Sequence, residues 1–169
     1  MIKKNEYINL CFIIGILMII LTCFCSCKLK DDDMGITYTS LCKKINIKIP
    51  EKAKVENIHN SQGGFHGDGQ ILYKVTLDKK ESQKIEKQIE KVWNKGKLSD
   101  EVDEVLYCNV DNAKYIDLYG EKVMLPKIEN GYWKLVSEYD ESLLKNHRDF
   151  YFAVYDKENL ILYLYENHA

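Results

Sequence analysis

The chain is poor in proline and almost devoid of arginine, and no long apolar run follows its first 27 residues. Two prolines and one arginine, Arg148, occur among 169 residues. With 24 basic and 26 acidic side chains, the formal net charge is −2, so the composition carries no electrostatic footprint for nucleic acid. Repeats and low-complexity segments are also absent after the N-terminal region. What remains has the size and composition of one compact domain.

Familiar catalytic signatures are missing as well. The sequence holds no Gly-x-Ser-x-Gly elbow, no HExxH pair and no CxxC pair. No Gly-Lys-Ser/Thr follows its one glycine-rich stretch, which therefore matches neither the P-loop nor the dinucleotide fingerprint. The sequence thus predicts no cofactor and no metal site, and it favours a binding role over an enzymatic one.

The N-terminus is the strongly hydrophobic part of the chain. Lys3 and Lys4 precede residues 7–27, which carry no charge, and a charged run follows. This order of basic, apolar and small residues is typical of an export signal. The apolar stretch is also long enough for an uncleaved transmembrane helix. Both alternatives leave the two lysines in the cytoplasm and the remainder of the chain on the extracytoplasmic side.

The sequence FCSC, which ends at Cys27, resembles a bacterial lipobox, in which a small residue precedes the cysteine that becomes the lipid-carrying N-terminus. It departs from that motif where Phe24 replaces the usual leucine. We expect residues 1–26 to be a lipoprotein signal peptide or, alternatively, a membrane-anchor helix. We expect Cys27 to carry the lipid, since two or more acyl chains hold a protein stably at a membrane. Residues 27–35 are then a polar tether.

Residues 36–169 are predicted to form a single α+β domain. An antiparallel β-sheet of about five strands with one long helix packed on one face is the simplest assembly. The helix is expected at about 79–94, because Asp78 and Glu81 form a capping-box signature and Gly96 provides a stop. Its apolar face is predicted to consist of Ile85, Ile89, Val92 and Trp93.

Alternation of apolar and polar residues predicts the strands. A β-hairpin over residues 53–77 encloses the glycine-rich stretch, NGYWKLVSE is a further strand, and a second hairpin with the turn DKEN lies near the C-terminus. A short helix capped by Asp100 is expected in SDEVDEVLYC, and TSLCKKINIKI is an early strand candidate. An extracytoplasmic location also permits a disulfide between Cys42 and Cys108.

The stretch QGGFHGDGQ, residues 62–70, is the leading candidate for a functional site. Its glycines permit positive φ and a close approach of a ligand to the backbone, and successive amides of such a turn can bind an anion. His66 could act as a base or ligand, and Asp68 could orient it. The sequence therefore predicts a ligand site formed by Gly64, His66, Gly67 and Asp68. The alternative is a wide hairpin turn with a β-bulge.

Two other segments carry candidate groups. Alternation places His59 with Val55 and Asn57, on the strand that enters the glycine-rich loop, so His59 could approach the loop once the hairpin closes. In KNHRDF, Arg148 and Asp149 could bind a carboxylate or phosphate, although a surface ion pair is the simpler interpretation. His147 and His168 are expected in solvent.

The segments GGFHGDGQ, GYWKL and FAVYDKENLILYLYE together resemble a family of small uncharacterised proteins and lipoproteins from Firmicutes, clostridia especially. The resemblance covers residues 55–166 and implies a glycine-rich hairpin near the start and an aromatic strand pair at the end. Gln62 stands where members have a histidine, which weakens a metal site at that position. The resemblance implies a fold and a location, and no reaction.

These observations predict a lipid-anchored protein of the cell membrane whose domain faces the extracytoplasmic side and binds a protein or a small ligand. Two alternatives stay open. One is a small hydrolase-type enzyme that uses His66 and Asp68, and the other is an immunity-type lipoprotein that sequesters a toxin at the membrane. No nucleic-acid partner is predicted.

Overall fold

Antiparallel β-structure dominates the fold. The computed structural model describes residues 32–63, 68–137 and 149–168. The chain divides into two compact units, Met1–Thr37 and Tyr38–Ala169, and all the strands lie in the second. The strands are β1 (Lys54–Asn60), β2 (Gly69–Thr76), β3 (Asn94–Lys95), β4 (Ile116–Leu118), β5 (Glu121–Val123), β6 (Gly131–Ser137), β7 (Phe150–Asp156) and β8 (Ile161–His168).

Six of these strands form one sheet in the order β1-β2-β8-β7-β6-β3, and β4 pairs with β5 in a separate hairpin. Every pairing is antiparallel. The central pairing, β2 with β8, joins the first hairpin to the last strand over eight residue pairs. The predicted antiparallel α+β class, the hairpin of β1 and β2, the strand β6 and the C-terminal hairpin are confirmed.

Within the described residues three short helices accompany the sheet, and the one long helix that was expected is not found there. They are 14, 11 and 8 residues long: α1 (Asp32–Ile45), α2 (Lys79–Ile89) and α3 (Asp100–Tyr107).

The alternation of side chains gives the sheet two apolar faces, and each has its own cover. On the helix face, α1 and α2 pack against residues such as Tyr73, Ala153 and Leu164. On the hairpin face, α3 and the hairpin of β4 and β5 pack against residues such as Phe152 and Tyr165. The sheet is therefore the middle of three layers, where a single covered face had been expected.

Helix α2 begins as predicted and ends earlier. The Asp78 carboxylate accepts a hydrogen bond from the Glu81 amide at 2.7 Å, and the Glu81 carboxylate accepts one from the Asp78 amide at 3.0 Å. The helix stops at Ile89, five residues short of the expected end. A tight turn follows, in which the amides of Val92 and Trp93 both donate to the Ile89 carbonyl. This turn returns Trp93 to the core and leaves Val92 62% exposed, so Val92 does not belong to the apolar face.

Helix α1 occupies most of the segment that was interpreted as an early strand. Leu41, Cys42 and Ile45 are buried at the one- and four-residue spacings of a helical face. Asn46, with φ of 59°, ends the helix in the left-handed conformation that asparagine tolerates. The short apolar run fits the periodicity of a strand as well as that of a helix, and packing against the sheet selects the helix.

Helix α3 lies where a short helix was predicted, with a different cap. The Ser99 hydroxyl, not the Asp100 carboxylate, accepts the Val102 amide at 3.4 Å. The hairpin of β4 and β5 was not predicted. Its two turn residues, Tyr119 and Gly120, both have positive φ, 54° and 80°, as a two-residue type I′ turn requires.

Candidate functional site at the glycine-loop end of the sheet

The predicted ligand site lies at the end of the sheet where β1 finishes and β2 begins, here called the glycine-loop end. Gly64, His66 and Gly67 lie outside the described residues, as does the predicted lipid-bearing Cys27. Asp68 is described, and its side chain is exposed. The amide of Gly63 donates to the Asp68 carbonyl at 3.1 Å, so the two sides of the hairpin still meet at this level.

The base of the loop is closed by backbone geometry that requires a glycine. Gly69 has φ of 133°, and a Cβ there would lie 2.6 Å from the Ser61 carbonyl oxygen. The Ser61 amide donates to the Gln70 carbonyl at 2.8 Å, and the Gln70 amide donates to the Ser61 hydroxyl at 2.9 Å. At least one of the loop's glycines is therefore architectural.

A β-bulge places His59 on the face opposite to the one that alternation predicted. The register of β1 and β2 shifts between Asn57, which faces Tyr73, and His59, which faces Leu72. The extra residue reverses the side on which the following side chains point. The expected grouping of His59 with Val55 and Asn57 was therefore wrong, and His59 belongs to the hairpin face.

On that face, Glu121 of β5 contacts both His59 and Ser61. The His59 Nε2 atom lies 2.9 Å from one carboxylate oxygen, and the Ser61 hydroxyl donates to the other at 2.9 Å. In a Ser-His-acid triad the histidine stands between the nucleophile and the acid. Here the carboxylate stands between them, and the Ser61 hydroxyl donates to Glu121 rather than to a described histidine. The geometry clamps the end of β1 to the β4–β5 hairpin.

A buried link strengthens this clamp. The Tyr165 hydroxyl donates to the Gln70 side-chain oxygen at 2.7 Å, and the Gln70 amide group donates to the Leu118 carbonyl at 3.3 Å. Burial is the main reason that the pKa of Tyr165 is raised, and the nearby Glu121 carboxylate adds to it. The phenol therefore stays a neutral donor. Sheet and hairpin are fixed to each other here through fully formed hydrogen bonds.

The helix face of the same end carries a second polar group, in which His168 stands between two carboxylates. Its Nδ1 atom lies 3.3 Å from Asp149 Oδ1, and its Nε2 atom lies 2.5 Å from Glu166 Oε1. A neutral imidazole has only one N–H, so both hydrogen bonds are donated only by the protonated ring. The Tyr151 ring packs edge-on against the imidazole at 5.8 Å. We call Asp149, Tyr151, Glu166 and His168 the histidine cluster.

His168 was expected in solvent, and the sequence held a signal against that. Alternation along β8 puts Leu162, Leu164, Glu166 and His168 on one side, so the last two continue the buried face toward its rim. Their partner Asp149 directly precedes β7, the neighbouring strand. Pairing these two strands from their turn would have brought the three side chains together.

Tyr73 lies beneath the histidine cluster. Its side chain is fully buried, and among the described residues its hydroxyl has no hydrogen-bond partner. Burial, followed by the nearby charges of Glu166 and Cys42, raises the pKa of Tyr73 to about 12. A buried hydroxyl without a partner costs free energy in the folded state.

The two cysteines considered for a disulfide are both free thiols. Cys42 lies in the helix-face core beside Tyr38, and burial raises its pKa to about 11. Cys108 is exposed at the end of α3, which packs on the opposite face of the sheet. The sheet thus lies between the two layers, and the disulfide is not formed.

Within residues 32–63, 68–137 and 149–168, no three His, Cys, Asp or Glu side chains are grouped in a way that could hold a metal ion. In the same ranges, no helix combines the length and the apolar character needed to cross a bilayer. Comparisons of the chain with protein-family models, with curated proteins and with solved structures found no match.

Proposed function

We propose that this chain is a lipid-anchored extracytoplasmic binding module that presents the glycine-loop end of its sheet to a protein or small-ligand partner. The observation that carries the proposal is the histidine cluster. Two strand ends place His168 between two carboxylates, beside the loop and above the unpartnered Tyr73 hydroxyl. This is a rigid arrangement of donors and acceptors on paired strands, the kind of support that fixes a ligand.

The arrangement favours binding over hydrolysis. The Ser61 hydroxyl donates a hydrogen bond to Glu121, and that carboxylate also contacts His59. Nucleophilic catalysis needs a base within hydrogen-bond reach of the nucleophile and a third group that orients the base. Glu121 occupies the position of the base but is itself held in a structural contact. The described side chains at this end therefore act through binding.

The proposed anchor rests on the N-terminal sequence, in which the apolar residues 7–27 end at Cys27. Mass spectrometry of the mature protein should show a diacylglyceryl-modified Cys27 as the N-terminal residue. An intact Met1 would replace the lipid anchor with a membrane helix, and recovery of the chain from the soluble fraction would refute both forms of anchoring.

The binding role is tested by cross-linking in intact cells. A photoreactive residue at position 68, where the side chain is exposed, should give a specific adduct, whereas the same residue at the exposed position 111 should not. Substitution His168→Gln in the first variant should weaken that adduct while the melting temperature changes by only a few degrees. Equal labelling from both positions would refute the proposal.

The stability of Asp68→Ala provides a second control. The side chain is exposed, so the free energy of unfolding should change by less than about 0.5 kcal/mol. A loss of several kcal/mol would make Asp68 part of the hairpin's architecture.

A further inference from the structure

A groove lies at the opposite end of the strands from the glycine loop, between α2 and the segment that leads from α1 to β1. Its volume is about 490 Å³, within the range of about 300–1,000 Å³ that is usual for binding clefts. Lys48 and Lys52 stand on one side, and Lys80 and Lys84 stand on the other. We call this feature the lysine groove.

The lysine groove is held open by hydrogen bonds within the protein. Gln88 of α2 accepts the Lys48 amide at 2.9 Å and donates to the Lys48 carbonyl at 3.0 Å. On the same segment, the Ala53 amide donates to the Pro50 carbonyl at 3.0 Å and closes a turn. These bonds fix the distance between the two walls before any partner arrives, so little ordering cost falls on binding.

The lysines of the groove outnumber its carboxylates by one, and they form no ion pairs with them. None of its four lysines has a carboxylate within ion-pair distance among the described residues. Its three acidic residues are Glu51, Asp78 and Glu81, and the last two also accept the hydrogen bonds that cap α2. With four lysines and three carboxylates, the lining carries a formal charge of +1 in a chain whose net charge is −2, and its unpaired lysines favour an anionic partner.

The shape of the lining decides which anion fits. Ile49 and Pro50 contribute apolar surface between the lysines. Backbone amides add little to the binding of a free phosphate here, because the first turn of α2 is capped by Asp78 and the Lys48 amide is held by Gln88. An extended peptide suits the groove better, because one set of its alternating side chains can cover the apolar floor while the other set points toward the exposed lysines at the rim.

We propose that the lysine groove binds an extended acidic segment of a partner protein, through the ammonium groups of Lys48, Lys52, Lys80 and Lys84. The groove and the histidine cluster lie at opposite ends of the same strands. The chain therefore offers two separate contact regions, one positively charged and one that holds an imidazole between carboxylates.

The test is fluorescence anisotropy on the full chain in detergent micelles, with a labelled eight-residue peptide of alternating Glu and Val as the probe. The peptide should bind, and its affinity should fall by about tenfold in Lys80→Gln/Lys84→Gln. The matched control is Lys95→Gln/Lys97→Gln, which removes two exposed lysines that do not line the groove. Affinity should also fall steeply between low and physiological salt.

Several outcomes would overturn the proposal. Equal losses in the two double variants, or equal binding of a peptide with Gln in place of Glu, would reduce the attraction to general surface charge. Binding of inorganic polyphosphate without binding of the peptide would identify a phosphate site. A dimer that dissociates in Lys80→Gln/Lys84→Gln would assign the groove to a second copy of the chain. Cross-linking from position 68 does not involve these lysines, so the failure of either proposal leaves the other intact.

Discussion

The two faces of the central sheet are sealed by layers of opposite character. On the helix face, α2 contributes Lys79, Lys80, Lys84 and Lys87, and its polar contact with the sheet is a partly exposed group of hydrogen bonds around Glu86. On the hairpin face, α3 is acidic, and its polar contact is an ion pair between Asp103 and Lys127 that is almost entirely buried. We therefore expect the cover of the helix face to tolerate changes in charge and the cover of the hairpin face not to tolerate them.

The largest effect is expected from breaking the buried pair. Lys127 Nζ lies 2.6 and 2.7 Å from the two Asp103 oxygens, and the side chains are 7% and 9% exposed. Lys127→Met leaves a carboxylate buried without a partner, which costs about 3–5 kcal/mol. Urea unfolding should show this loss, and Asp103→Leu/Lys127→Met should recover most of it, because an apolar pair of similar volume replaces the charges.

The control for that variant lies on the same face. Lys122 and Asp117 form an ion pair at 3.9 Å with side chains 59% and 37% exposed. Lys122→Met should cost less than about 1 kcal/mol. If Lys127→Met lowers the free energy of unfolding by no more than Lys122→Met does, burial does not distinguish the two ion pairs. The hairpin face would then be as tolerant of charge changes as the helix face.

On the helix face, the next largest effect comes from the apolar surface of α2. Ile89→Ala removes a side chain that is 1% exposed and should cost about 2–5 kcal/mol. Val92→Ala, three residues later, should stay within about 0.5 kcal/mol, because Val92 is 62% exposed. Urea unfolding of both variants measures where the helix ends. If both variants lost the same free energy of unfolding, Val92 would be buried as Ile89 is, and the longer helix that periodicity predicted would be supported.

These differences show what a sequence can and cannot specify here. Alternation predicted β2, β6, β7 and β8, and the capping box located the start of α2, because both signals lie within one element. The bulge before His59 depends on the pairing of β1 with β2, and the turn after Ile89 is closed by local backbone hydrogen bonds that leave no mark in the apolar spacing. Periodicity carried through these two points placed Val92 and His59 on the wrong faces.

The same limit applies to the candidate site, of which only the features local in sequence could be predicted. The glycine-rich loop was found because its composition is local, and Gly69 does require a glycine. The histidine cluster was missed because its members come from two strands far apart from the loop in sequence. The contact of His59 with Glu121 was missed because β4 and β5 are only three residues long and show too little alternation to be recognised.

A smaller effect is expected where the hairpin face meets the glycine-loop end. Glu121→Ala removes the contacts with His59 and Ser61 and should cost about 1 kcal/mol, since the carboxylate is 35% exposed. Amide hydrogen exchange should accelerate at residues 59–63, while the exposed control Glu129→Ala leaves it unchanged. Unchanged exchange in both variants would show that the buried hydrogen bonds of Gln70 hold the hairpin without the clamp.

The smallest effect concerns Glu86, and it appears only as a dependence on pH. Partial burial alone would raise the pKa of Glu86, but the hydrogen bonds that its carboxylate accepts from Lys157, Tyr155 and Ser82 outweigh burial and hold the pKa below its ordinary value. A lowered pKa in the folded state means that the contribution to stability is fully present above the unfolded-state value of about 4.3. It is lost as the pH falls through the folded-state value.

The free energy of unfolding of Glu86→Gln should therefore lie below that of the parent at pH 7, and the two should converge toward pH 3. A Glu86→Gln curve that ran parallel to the parent's between pH 7 and pH 3 would show that these hydrogen bonds do not lower the pKa of Glu86.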